Sequence, residues 1–153
     1  MATLRRIILP GYCYHVITVT EGRAPVFTDE RNACVVLDAL QFLRRRRAYL
    51  LGYVLMPDHL HALILPREPW GISQVVKTVK GYSARLINLA SGRRGKLWQE
   101  EFYERVIRGE AHLLDAVAYL HANPVVAGMV DDPADYAYSS AFPGAQTDVE
   151  ACV

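Results

Sequence analysis

Two histidines one residue apart, His59 and His61, flank Leu60 at the head of an aliphatic run that continues to Leu65. In a β-strand successive side chains alternate faces, so both imidazoles would emerge on one face and Leu60 on the other. Neutral imidazoles side by side can bind one metal ion. A second pair lies in Asp115-Ala116-Val117-Ala118-Tyr119-Leu120-His121-Ala122-Asn123-Pro124, where Tyr119 and Asn123 are four residues apart. On a helix that spacing makes them neighbours, and a phenol and a carboxamide could then work at one point. Each pattern also has a plain structural counterpart. Histidines can simply rest on a strand, a tyrosine (one of nine in the chain) can pack at a rim, and an asparagine before proline can end a helix. The residues alone leave both readings open.

The elements that must position these groups follow from periodicity. Residues Tyr12 to Thr20 alternate Cys13, His15, Ile17 and Val19 against Tyr14, Val16, Thr18 and Thr20, which predicts a first strand. The segment Thr28 to Arg47, with Val35, Val36, Ala39, Leu40 and Leu43 at helical spacing, predicts an amphipathic helix with Thr28 as N-cap. Arg31 stands where a capping box would want glutamate or glutamine, and the four closing arginines suit a helix C-terminus. Tyr49 to Leu55 and His59 to Leu65, joined by Met56-Pro57-Asp58, predict an antiparallel hairpin. From Gly71 to about Leu89, Val75, Val76, Val79, Tyr82 and Leu86 predict a second helix that Ser91-Gly92 ends. Phe102 to Arg108 then reads as a fourth strand, and Glu110 to Ala122 as a last helix stopped by Pro124. Strand, helix, two strands, helix, strand, helix describes an α+β ferredoxin-like sandwich, an antiparallel sheet with helices on one face, plus a C-terminal helix carrying Tyr119.

The 153 residues suffice for one domain, with a core over about 12–140 and an acidic tail over 141–153. At 52% apolar and 22% charged residues the composition is that of an ordinary globular protein. The best apolar run, Ala48 to Met56, falls well short of the roughly 18 to 20 residues of a membrane span. Arg5 and Arg6 precede an apolar stretch, but Pro10, Gly11 and His15 interrupt it, and no signal peptide is expected. Cys13, Cys34 and Cys152 have no paired spacing, which argues against a disulfide framework or a thiolate zinc site and for a reducing cytoplasm. The net charge of +1 conceals a segregation: residues 1–108 hold all 17 basic and nine of the 16 acidic side chains. The remaining seven acidic residues lie in 109–153. That split is compatible with a basic face for a polyanion, and equally with ordinary solvated faces.

Taken together, four stretches carry a resemblance: Tyr53-Val54-Leu55-Met56-Pro57-Asp58-His59-Leu60-His61, Leu97-Trp98-Gln99-Glu100-Glu101-Phe102-Tyr103, Tyr119 to Val125, and Tyr138-Ser139-Ser140. The chain resembles the single-tyrosine HUH transposases, and among them the REP-associated tyrosine transposases, from about Tyr12 to Ser140. His-hydrophobic-His combined with Tyr-x-x-x-Asn-Pro is far more specific than either part. The resemblance implies the ferredoxin-like fold and an enzyme that cuts and rejoins single-stranded DNA near hairpins. It makes His59 and His61 ligands of a divalent metal, Mg²⁺ or Mn²⁺, Tyr119 the nucleophile and Asn123 a third ligand. The implied chemistry is sound, because a cation that neutralises a non-bridging phosphate oxygen eases attack by an anionic nucleophile. Two imidazoles and an amide oxygen suit Mn²⁺ or Mg²⁺ and leave positions for substrate oxygen and water. Attack by Tyr119 would give a 5′-phosphotyrosine and a free 3′-hydroxyl, and a second strand's 3′-hydroxyl could reverse the step without ATP.

DNA recognition has to come from other residues. Arg93, Arg94 and Lys96 beside Trp98 put positive charge next to an aromatic ring, suited to phosphate contact and base stacking, and Lys77, Lys80 and Arg85 could extend a basic stripe. Trp98 as a core residue beside a merely solvated loop is the competing reading. The expected partner is single-stranded DNA with a hairpin, and a homodimer in which Tyr119 serves either chain's histidines stays open. The main rival function is a noncatalytic hairpin-binding protein that keeps the fold. An RNA-binding ferredoxin-like domain would want exposed aromatics where the histidines lie. A two-histidine phosphodiesterase would need a second His-x-Thr/Ser, which Cys13-Tyr14-His15-Val16-Ile17 does not supply.

Overall fold

A computed structural model describes residues 13–149. Tyr12, the first residue of the expected strand, and Cys152 lie outside the described residues. Strands β1 (Cys13–Val19), β2 (Ala48–Met56), β3 (His59–Pro66) and β4 (Tyr103–Ile107) form one sheet in the order β2-β3-β1-β4, every neighbouring pair antiparallel. Helices α1 (Glu30–Arg46) and α2 (Ile72–Ser91) join the strands, and α3 (Glu110–Val126) follows β4. This is the ferredoxin-like α+β order expected from the sequence, with β1 and β3 central. Among the described residues no helix is long and apolar enough to cross a membrane.

Alternation along each strand separates two cores. On one face Val16, Leu50, Leu55, Leu60 and Ile64 bury against Val36, Leu40 and Leu43 of α1 and Val75, Val76 and Val79 of α2. On the other, Leu51, Val54, Leu63, Leu65 and Ile107 bury against Leu113, Ala116 and Leu120 of α3. A bulge between Leu50 and Gly52 shifts the β2 register, and Gly52 admits α3 closely. A Cβ there would meet Leu63 Cδ1 at 3.3 Å and Val117 Cγ2 at 3.6 Å. Helix α3 packs on β2 and β3, so the β1/β4 half of this face is left open beside it.

Two local expectations are corrected. The cap of α1 is Asp29, whose carboxylate accepts from the Arg31 N–H at 2.9 Å, while the Thr28 hydroxyl turns back to the Pro25 carbonyl. Both residue types can cap, and tertiary placement of the preceding turn decides between them. Pro124 does not stop α3; it sits in the last turn, where it withholds one i→i−4 hydrogen bond, and the helix runs on to Val126. Closure comes from Gly128 in the left-handed region (φ 75°), with Gly128 N–H donating to Val125 O and Met129 N–H to Pro124 O. The segment that follows α3 returns to the sheet. Leu55 N–H donates to Tyr138 O, Ser140 N–H to Tyr53 O and Asp148 N–H to Leu50 O, covering the free edge of β2. The Asp148 carboxylate also accepts from Leu50 N–H and pairs with Arg44 at 3.3 Å.

Candidate active site

Strand β3 places the histidines as its alternation requires. Leu60 is in the α1/α2 core, while the His59 and His61 rings lie 5.0 Å apart on the opposite face. Each ring has an outer partner. Asp58, in the Pro57-Asp58 turn, sets Oδ1 2.7 Å from His59 Nδ1 and is itself paired with Arg23 at 3.3 Å. Burial would raise the Asp58 pKa, but the hydrogen bond and charge of His59, with those of Arg23, outweigh it and hold it below the usual value. His61 Nδ1 lies 2.9 Å from Nε2 of His15 on β1. His61 is only 4% exposed, and burial, aided by the charges of His59 and His15, brings its pKa down to about 3. It is therefore a neutral imidazole with a lone pair at physiological pH. Burial also lowers the His15 pKa, with Arg105, opposite it in register on β4, and His112 adding to the effect.

Tyr119 projects from α3 towards this row, its ring 5.9 Å from His61 and 6.2 Å from His15. At 58% exposure it can be reached by a bulky substrate. Because α3 leaves the His15–Ile17 stretch of β1 and the Tyr103–Arg105 stretch of β4 uncovered, a groove of about 620 Å³ opens here, lined also by Asp115 and Tyr119 among others. Asn123, half-buried, follows Tyr119 by one helical turn. It lies within the helix and does not terminate it. His121 is turned away and tied to Ser140 Oγ at 2.8 Å.

The donor set fits a divalent metal. With Nδ1 of each histidine engaged by an outer partner, Nε2 of each is the nitrogen left for a ligand bond, and outer partners of this kind orient metal-binding imidazoles. Among the described residues no three His, Cys, Asp or Glu side chains converge as a metal site, so further donors would be amide, substrate or water oxygens. The Cys13 thiol is buried, its pKa pushed up to about 12, and offers no thiolate.

The residues proposed to meet DNA divide. Lys77, Arg85, Arg94 and Lys96 are exposed, Lys96 facing Glu100 at 3.5 Å. Lys80 spends its ammonium on the carbonyls of Gln99 and Glu100, and Arg93 donates to Lys96 O and Asn88 Oδ1. These two hold the loop in shape. The loop itself is anchored at the end of β1 by Glu21 N–H to Leu97 O and Gln99 N–H to Val19 O, and Val19 pairs with His59. Trp98 corrects the expectation of a stacking platform: it is 4% exposed, packs on Phe27 at 5.1 Å, and donates its indole N–H to Ser83 Oγ at 2.9 Å. A ring buried this deeply with its N–H partnered is part of the core and is not presented to an unpaired base. Accordingly Trp98→Phe should lower stability by about 1 to 2 kcal/mol in thermal unfolding and leave the affinity of the folded protein for single-stranded DNA unchanged. Lost affinity with an unchanged melting temperature would restore the stacking role.

Sequence reading singled out His59, His61, Tyr119 and Asn123, and the fold brings the first three together. It missed His15 and Asp58. Asp58 was visible as the residue before His59 but read as turn chemistry, and His15 shares strand parity with Ile17, which pairs with His61.

A ferredoxin-like sheet carries a histidine pair on the face where α3 brings Tyr119 beside it. The chain belongs to the IS200-like transposase family, whose model matches residues 9–123. It is 23% identical over 138 residues to a REP-associated tyrosine transposase of Escherichia coli, covering 89% of this chain and 79% of that one. A protein of Haemophilus influenzae named after the same transposases is 29% identical over 96 residues, 56% of this chain; the chain spans about half of that relative, 54% of its length. Among solved structures, that of a REP-associated tyrosine transposase bound to a REP hairpin shares the fold with a TM-score of 0.67 at 23% identity, over 85% of this chain and 76% of that one.

Proposed function

We propose that the chain is a metal-dependent single-stranded DNA endonuclease and strand transferase that cuts beside DNA hairpins through a 5′-phosphotyrosine on Tyr119. The observation that carries this reading is the meeting of an exposed phenol with a buried neutral histidine, 5.9 Å ring to ring, at the edge of an open groove. In the step proposed, Tyr119 Oη forms a bond to phosphorus, the bond from phosphorus to the 3′-oxygen breaks, and the phenolic proton leaves to solvent. The departing 3′-oxygen takes up a proton from solvent to become a hydroxyl; attack by an incoming 3′-hydroxyl, which gives its proton to solvent, restores the phosphodiester as the bond from phosphorus to Tyr119 Oη breaks and the phenolate is reprotonated. A Mg²⁺ or Mn²⁺ ion held by His59, His61 and Asn123 would supply charge neutralisation at the attacked phosphate. The α1/α2 core fixes β3 beneath the histidines, and Asp58 and His15 hold their rings. The same distances favour Tyr119 serving the histidines of its own chain.

A single-stranded substrate is supported by the groove, where Tyr103, 70% exposed, and Arg105 stand beside Tyr119. Hairpin recognition is supported by the relative solved with a REP hairpin and by the exposed Arg94 and Lys96 on the loop anchored at the His59 end of the sheet. The test is incubation of the protein and Mn²⁺ with hairpin-bearing single-stranded DNA labelled on its 3′ portion. A labelled species that survives denaturing electrophoresis is expected. Hairpin binding without any such species would identify a noncatalytic hairpin binder instead.

Asn123 as third ligand has its own test. Asn123→Asp keeps an oxygen at the same reach and should retain cleavage, whereas Asn123→Ala should lose at least about tenfold and recover partly in excess Mn²⁺. Unchanged metal dependence in the Ala variant would remove Asn123 from the site.

A further inference from the structure

Three imidazoles stand in a row on the open face of the sheet: His59 beside Val19, His61 beside Ile17, and His15 on the far side of His61, opposite Leu63. The two outer ones face His61 from opposite sides, with ring centroids 5.0 Å away for His59 and 5.2 Å for His15. His15 is not a member of the His-x-His pair, and its Nε2 lies within hydrogen-bond distance of His61 Nδ1, at 2.9 Å. A hydrogen bond between two neutral imidazoles needs one N–H and one lone pair. If His61 were to donate through Nε2–H, its Nδ1 lone pair would be spent on His15 and neither nitrogen would serve a metal. We infer that His15 is a positioning residue: its Nε2 accepts the Nδ1–H of His61, fixing the tautomer and ring orientation that leave His61 Nε2 bare for a divalent cation.

This rests on the metal-dependent reading above and deepens it by assigning a residue outside the ligand set. The choice of nitrogen on a metal-binding histidine is set by the hydrogen bond its other nitrogen makes, and loss of such a partner costs about 10- to 100-fold in metal affinity. His59 is supplied differently, by the Asp58 carboxylate at 2.7 Å. Each histidine of the pair thus has its own outer acceptor, one from the adjoining turn and one from the neighbouring strand.

The experiment needs no DNA and no turnover, so its failure is separable from failure of the proposed reaction. Imidazole ¹⁵N shifts are recorded on the metal-free protein, and Mn²⁺ affinity is measured by calorimetry, for wild type, His15→Phe and His15→Gln. In wild type His61 should be the Nδ1–H tautomer. In His15→Phe, which keeps the packing, His61 should shift towards the Nε2–H form that an isolated imidazole favours, and Mn²⁺ should bind at least about tenfold more weakly. Gln places an amide oxygen at the reach of Nε2, so His15→Gln should restore both readings to within about threefold of wild type. An Nε2–H tautomer at His61 in the wild-type protein would overturn the inference without recourse to any variant. So would an unchanged affinity in His15→Phe, or a metal-induced shift at His15 Nε2 with no rescue by Gln, which would make His15 a ligand in its own right.

Discussion

Tyr119→Phe is expected to abolish the covalent DNA adduct and reduce strand cleavage by on the order of 10⁴-fold or more, while hairpin affinity stays within about twofold of wild type. The phenolic oxygen is the group proposed to attack phosphorus, whereas the ring that rests against His61 and His15 remains in the variant. Since Tyr119 is 58% exposed, removing one oxygen should not disturb the core. Two other tyrosines serve as controls. Tyr103 lines the same groove, and Tyr82 lies 40% exposed on α2, which packs on the opposite face of the sheet. Phe at either should leave the adduct intact. Loss at Tyr103 with retention at Tyr119 would move the nucleophile to β4.

The second large effect concerns the histidine pair. Cleavage should stop in chelator and return with Mn²⁺ or Mg²⁺, and His59→Ala and His61→Ala should each lose on the order of 10³-fold or more, because each removes one of few protein donors. The two variants should differ in stability. His61 is 4% exposed and its removal opens space under α3, so its melting temperature should fall, whereas the partly exposed His59 should cost less. Leu60 separates chemistry from packing: it lies between them on the chain but in the other core, 3% exposed. Leu60→Ala should lose about 2 to 5 kcal/mol of stability and keep its cleavage rate per folded molecule. A wild-type rate in chelator would reject the metal-dependent mechanism.

How much of this was legible in the sequence depended on the range of the signal. The hairpin of β2 and β3 and the helix from Ile72 were readable because both are long, apolar and bounded by turn residues at known offsets. The His-x-His alternation and the Tyr119 to Asn123 spacing were readable for the same reason, since each lies within one element. Helix ends were less so: Thr28 and Asp29 are both capping types, and a proline in a final turn looks like one beyond it. Trp98 was ambiguous because a ring beside Arg93, Arg94 and Lys96 has the same local pattern whether it faces solvent or Phe27. The partnership of His15 with His61 spans 46 residues and depends on β1 pairing β3 in a particular register, which no local pattern reports.

A covalent protein–DNA intermediate on one tyrosine can be identified by mass spectrometry of the trapped reaction. The protein is incubated with hairpin-bearing single-stranded DNA and Mn²⁺, denatured, digested with nuclease and protease, and its tyrosine-containing peptides are sequenced. A nucleotide joined through its 5′-phosphate to Tyr119 and to no other residue is expected. Modification at Tyr103 instead, or cleaved DNA with every tyrosine unmodified, would contradict it.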